Sequence, residues 1–174
     1  MTKIHPSAVI YEGVQLMGDN IEIGPNCIIG APAEDKNSWG KEGRGVIISN
    51  NTIITGNCTI DAGTMQPTYI GEGCFLMKGS HVGHDSVVKD NVTIACHALI
   101  GGWCILENNV NIALGAIIHQ RISIPEFVMV GMGAIVTKKT DLKAGYTYVG
   151  SPARKLKLNA VGLERAGKSI DKYL

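Results

Sequence analysis

Two histidines and a carboxylate fall within five residues, His81-Val82-Gly83-His84-Asp85. No other stretch of the chain gathers proton-transfer groups so densely. An imidazole titrates near neutral pH and suits the work of a general base. His84, beside Gly83, is a plausible base in this spacing. Acyl transfer is one reaction that such a base could serve. A base takes the proton of an attacking hydroxyl or amine, and a backbone N–H at a glycine corner meets the developing oxyanion. Gly101 and Gly102 are the candidates for that corner. No serine or cysteine nucleophile is needed, because the acceptor attacks directly. Each histidine also has a plainer role open to it. His84 could be an ordinary corner residue, His81 a turn or subunit-packing group, His97 structural, and His119, just after an aliphatic Ile118, part of an interface. His5 reads as surface.

The element that must position these groups is a repeat. From Ile70 to Leu142 every sixth residue is aliphatic, and the residue four places after each is uncharged and mostly small or β-branched. Neither an α-helix nor an amphipathic strand has a period of six; stacked hexapeptides forming a parallel β-helix do. Three hexapeptides make one triangular coil of eighteen residues, with rungs about 4.8 Å apart. The chain has length for roughly seven coils on that spacing. Residues eighteen apart therefore stack, which puts His84 over Gly102, and His119 in one column with Gly101 and Gly83, with room beside the imidazoles for a ligand. Weaker versions of the repeat cover Ile4 to Ile29 and Ile48 to Ile60. Asparagines at Asn50-Asn51, Asn91 and Asn108-Asn109 suit tight corners because Asn tolerates left-handed backbone.

Two segments break the rhythm. Residues 31–45, APAEDKNSWGKEGRG, are polar and carry Trp39; a loop this long reads as a flap over a ligand. A four-residue excess around Gln66-Pro67-Thr68 reads as a shorter loop. After Leu142 the repeat fades, and residues 155–174 carry apolar residues at loosely helical spacing, which predicts one short terminal helix after a β-helix spanning 1–154. Lys138-Lys139 and Arg154-Lys155 with Lys157 could bind phosphates by charge-assisted hydrogen bonds, or could be solvated ends.

Composition narrows the partners. Net charge is +1 over 174 residues, which makes no electrostatic case for nucleic acid or a membrane surface. Five cysteines without a CxxC pair read as small buried hydrophobes in a reducing compartment. The N-terminus lacks the apolar run of a signal peptide and no segment is long enough to span a bilayer, so the expected location is cytoplasmic. A column of strands with little helix to cover it predicts self-association in a closed ring.

The repeat resembles that of the left-handed β-helix acyltransferases, over nearly the whole chain. From His81 to Thr140 it is similar in particular to the UDP-N-acetylglucosamine O-acyltransferases of lipid A synthesis. HVGHDSVV, the His119-Gln120 pair, VMVG at 128–131 and LNAVGLERAG at 158–167 carry the likeness, and the loop with Glu34-Asp35-Lys36 resembles that family's nucleotide-side loop. The resemblance implies trimers with active sites between subunits and a nucleotide-sugar acceptor. It also implies a thioester co-substrate, acyl-CoA or acyl carrier protein, with no tightly bound cofactor. It implies His84 as base with Asp85 beside it, and His81, Asp35, His119, Gln120, Asn159 and Arg165 as substrate-binding. Departures from the family are Trp103 in place of a histidine, Val161 and Ala166 in place of an acidic and a basic residue, fewer N-terminal coils, and no following helical domain. Gly150-Ser151-Pro152-Ala153-Arg154 instead resembles the G-x-P-A-[KR] segment of coenzyme A-dependent hexapeptide acetyltransferases, which makes Arg154 and Lys155 donor-binding candidates along with Gly101 and Gly102. Two other functions use this scaffold. A γ-class carbonic anhydrase needs three histidines on one zinc, two of them five apart; here His81 and His84 are three apart and no pair is five apart. A non-catalytic trimeric scaffold needs only the repeat.

Overall fold

Each hexad contributes one two-residue strand and one tight corner, because the aliphatic residue must face the axis while the backbone turns by a third of a circle. The computed structural model describes residues 1–174. It is a left-handed parallel β-helix of hexapeptide repeats. Its three faces are sheets of nine, seven and six strands. On the nine-stranded face eight parallel rungs end in one antiparallel strand, one coil more than the repeat count predicts. The twelve repeat aliphatics from Ile70 to Val136 are all buried and form the axis of the core together with the small residues between them, such as Cys74, Ala98 and Ala116. Leu142 packs at the edge of that core. Burying side chains of this size gives about 1.5–3 kcal/mol each before chain entropy is set against it.

Corners follow the sequence signals. Asn51, Asn91 and Asn109 adopt φ of 55°, 56° and 61° on one corner of the prism. The neighbouring Asn50 and Asn108 side chains accept hydrogen bonds from the Asp19 and Asp90 N–H groups of the rung before. Cys27, Cys58, Cys74 and Cys104 are buried, Cys96 is half-buried, and all five are free.

Both insertions leave from the same corner, the one between the seven- and six-stranded faces. The flap lies between strands Ile28–Ala31 and Val46–Ser49, and the shorter loop between Thr59–Asp61 and Thr68–Ile70. The shorter loop accounts for the register. His81 pairs with Leu99 eighteen residues on but with Thr59 twenty-two residues back.

The C-terminal segment departs from the expectation of one helix over 155–174. Arg154–Leu158 is a strand, antiparallel to Tyr146–Val149. Its lysines alternate with Leu156 and Leu158, a period-two pattern that suits a strand. Only Ala160–Arg165 is α-helical, followed by a 3-10 turn at Ile170–Tyr173. That tail folds back on the asparagine corner, with the Tyr173 ring edge-on to Phe127 and its hydroxyl donating to Glu126. No helix is long and apolar enough to cross a membrane.

Candidate active site

His84 and Asp85 form the corner that follows strand His81–Val82. Asp85 has φ of 59°, a left-handed backbone that Asp tolerates better than most residues. That turn sends its carboxylate inward, where it is 1% exposed. Oδ2 lies 2.7 Å from His84 Nδ1 and accepts from the Thr64 N–H and hydroxyl. Oδ1 accepts from the Met65 and Gln66 N–H groups. The shorter inserted loop is therefore wrapped on Asp85, and its polar backbone is what makes a buried anion tolerable. Burial alone would push Asp85 up; hydrogen bonds from His84 and from the Gln66, Met65 and Thr64 N–H groups outweigh it and hold the acid down at about 2. An anionic Asp85 takes the Nδ1 proton of His84 as its partner, which leaves Nε2 as the free, basic nitrogen.

Nε2 points at the next rung. A Cβ on Gly102 would lie 2.7 Å from it. The space that glycine leaves is thus taken by the His84 ring itself rather than left for a ligand, as the stacking arithmetic alone suggested. Of the two glycines, Gly101 spends its N–H on the Ile118 carbonyl at 3.0 Å, which removes it as an oxyanion donor. The Gly102 N–H has no such bond. Trp103, at φ of 61°, stands edge-on to His84 with ring centroids 6.5 Å apart, and Arg121 lies 5.1 Å over the indole.

His81 is on the adjacent strand, half-buried. Its Nδ1 meets the Thr59 hydroxyl at 2.7 Å, and its Nε2 faces Asp61 Oδ2 at 3.8 Å. Asp61 was not legible as a site residue from its position after Ile60, yet it is 5% exposed and Oδ2 has no hydrogen-bond partner. Burial pushes its carboxyl up, His81 pulls it down, Glu34 pushes it further up and His84 pulls it down. The structural register places Asp61 in line with Gly83, Gly101 and His119, where a carboxylate is out of place among glycines.

Along the same corner His119 is exposed, with Nδ1 on the Gln120 carbonyl at 2.9 Å, and Gln120 lies over Gly101. His84 to Gln120 is two rungs, about 10 Å at the rung spacing. One rung further, His119 opens on a cavity of about 670 Å³ lined by Lys138, Lys139, Arg154 and Lys155 with a single carboxylate, Asp141. Lys155 stacks 4.5 Å over Tyr146 and Arg154 donates to the Ala153 carbonyl. His84, Gly102, both insertions and the cationic cavity therefore share one edge of the prism.

Other predicted residues lie elsewhere. Asp35 stays on the flap, in a recess with Glu34, Lys36 and Trp39. Asn159 caps the terminal helix, accepting from the Gly162 N–H and donating to the Phe127 carbonyl. Arg165 shares a recess with Asn159, Asn111 and Met129 on the nine-stranded face, opposite the His84 corner. Within one chain these two do not meet His84. His97 is a corner residue at φ of 58° packed on Gly79. No three His, Cys, Asp or Glu side chains are grouped to hold a metal ion.

Comparison with known proteins bears on this geometry. Residues 67–102 match the bacterial transferase hexapeptide (six repeats) model. The six-residue period on either side of that stretch is of the same kind. Among hexapeptide proteins, the chain is 34% identical over 163 residues to an acyl-[acyl-carrier-protein]–UDP-N-acetylglucosamine O-acyltransferase of Anaeromyxobacter sp., covering 92% of this chain and 62% of that protein. It is 33% identical over 93 residues to the enzyme of that name from Campylobacter concisus, covering 52% of this chain and 36% of the other. The chain thus spans between about a third and two thirds of these relatives' length. The crystal structure of a UDP-N-acetylglucosamine acyltransferase from Bacteroides fragilis superposes with a TM-score of 0.91 at 28% identity, over 99% of this chain and 67% of that one.

Proposed function

We propose that this protein transfers an acyl group from a thioester to a hydroxyl or amino group of a nucleotide-linked sugar. The observation that carries the reading is the His84 geometry: Nδ1 held by a saturated, anionic Asp85, and Nε2 directed at the corner where the Gly102 N–H is unspent. His84 Nε2 takes the acceptor proton as the acceptor attacks the thioester carbonyl. The oxyanion is met by the Gly102 N–H. Collapse expels the thiolate, which takes the proton back from Nε2. Asp85 fixes the ring and its tautomer throughout.

The cationic cavity beyond His119 supports a phosphate-bearing donor, either acyl-CoA or acyl carrier protein. Three rungs, about 14 Å, separate the His84 corner from Lys138, a span that a phosphopantetheine arm can cover. In that arrangement His119 and Gln120 line the path, and Arg154 and Lys155 meet phosphate. The O-acylation of UDP-N-acetylglucosamine is the specific form that the relatives' names favour. Asp35, on the flap that leaves from the same corner of the prism as His84, would meet the nucleotide side of the acceptor in this reading.

Self-association completes the site in this reading. The outer face of the seven-stranded sheet carries Val9, Ile28, Leu99 and Ile117, all exposed, in register with His81. An apolar ladder beside the catalytic corner fits packing of copies there, and a closed trimer would bring Asn159 and Arg165 of a second copy towards His84. Thioester donors of either kind support a cytoplasmic location.

The test is direct. Purified protein is incubated with acyl-CoA or acyl carrier protein of different chain lengths and with UDP-N-acetylglucosamine or UDP-linked amino sugars, and thiol release is followed. Turnover with one acceptor class supports the reading; thioester consumption independent of any nucleotide sugar contradicts it.

A further inference from the structure

Asp61 has no part in the chemistry above, yet its state is unusual. A buried carboxylate oxygen without a hydrogen bond is costly. Every other polar side-chain atom buried to that degree has a partner. The nearest polar atom on His81, Nε2, stands 3.8 Å away. That is beyond hydrogen-bond length, and it is a separation that a third polar atom can bridge by bonding to both. The Thr59 hydroxyl is free to donate to His81 Nδ1, and that choice leaves the ring proton on Nε2, facing Asp61. A bridging group must then accept from His81 and donate to Asp61. A hydroxyl does both.

We propose that Asp61 and His81 together read a second hydroxyl of the sugar acceptor, one that does not react, and that Asp61 is a specificity-determining residue of the site. The proposal rests on the acyl-transfer reading and deepens it. The pair is well placed for the task. Asp61 and His81 sit diagonally across the paired strands Thr59–Asp61 and His81–Val82, and His84 follows three residues after His81. The flap screens Asp61 from solvent in the free protein: Ala31 bridges to Asp61, the Ala62 N–H donates to the Ala31 carbonyl, and Glu34 lies alongside. Entry of the hydroxyl replaces Glu34 beside Asp61. This gives the flap a role in acceptor binding, with water excluded from the bridge once the sugar is in.

The test uses the full chain and calorimetric titration with UDP-N-acetylglucosamine, with its 3-, 4- and 6-deoxy sugar analogues, and with UDP alone. Loss of a hydrogen bond to a buried charged group predicts that one deoxy analogue of a non-reacting hydroxyl binds wild-type protein about 5- to 100-fold more weakly. Asp61→Asn, nearly isosteric, weakens UDP-N-acetylglucosamine by a similar factor and binds that one analogue as wild type does. In turnover the loss falls on the acceptor KM, with kcat changed less than threefold. Equal losses for Asp61→Asn across all the analogues, or parent binding within twofold of wild type, overturn the proposal while leaving acyl transfer standing. If Asp61→Asn does not fold, the wild-type analogue series and His81→Gln carry the same comparison. Wild-type protein that binds no nucleotide sugar removes the acceptor reading and the proposal with it; wild-type turnover with all deoxy analogues bound equally removes the proposal alone.

Discussion

His84 and His81 stand three residues apart, each faces an aspartate, and the two aspartates live under opposite conditions. Asp85 has both oxygens saturated by the loop at Thr64–Gln66 and by His84. Asp61 is almost as buried and keeps one oxygen empty. The first carboxyl is held down at about 2, and the second is pushed up by burial. The difference separates a carboxylate whose placement stabilises the fold from one whose placement costs stability. Natural proteins retain such costs where a ligand relieves them.

Four substitutions break or sharpen that contrast. His84→Ala removes the base, and turnover should fall about 10²- to 10⁴-fold with the melting temperature little changed; thiol release and calorimetry read the two. Asp85→Asn removes the charge that four donors and His84 share. Turnover should drop about 10²-fold or more, through the lost tautomer, and stability by about 2–4 kcal/mol, which denaturant unfolding measures. Gly102→Ala places a Cβ 2.7 Å from Nε2, so the His84 ring must move. A displacement of that kind predicts roughly tenfold to 100-fold lower kcat with normal binding of nucleotide sugar. Last, His97→Asn, at φ of 58°, should change activity not at all and stability within about 0.5 kcal/mol.

The pH dependence separates the aspartates again. Asp85 is depressed from 3.8 to about 2. Its contribution, about 2 kcal/mol by linkage, is fully present above the unfolded value and is lost as pH falls through 2. Asp61 is raised from 3.8. The unfolded chain releases that proton first, so the cost of ionising Asp61 in the fold is absent below 3.8 and grows as pH rises through its folded value. Asp61→Asn should therefore gain stability relative to wild type as pH rises above 3.8, whereas the deficit of Asp85→Asn should be constant above 3.8 and shrink as pH falls towards 2. Urea unfolding at a series of pH values gives both curves.

Much of this architecture is written in single residues. The sixth-residue aliphatics fix the axis because each must face inward, and each of the twelve from Ile70 to Val136 is buried. His84 over Gly102 follows from eighteen-residue stacking and holds at atomic detail. The terminal strand was hidden because Leu156 and Leu158 fit a strand while Leu158, Val161 and Leu163 fit a loose helix; the segment contains both. Asp61 was hidden for a different reason. Its register with Gly83 spans the loop at Thr64–Gln66, whose length breaks the eighteen-residue count, so the column could not be followed back to it. Asn159 shows the reverse. A residue matched to a binding motif has both ends of its side chain spent on the Phe127 carbonyl and the Gly162 N–H.

The central claim is that His84, oriented by Asp85, is the base for acyl transfer. Single-turnover thiol release from acyl-CoA or acyl carrier protein in the presence of UDP-N-acetylglucosamine, comparing wild type with His84→Gln, tests it most directly. The account predicts a rate at least 100-fold lower in the variant, with nucleotide-sugar affinity within about threefold of wild type. A variant that releases thiol at half the wild-type rate or faster contradicts it.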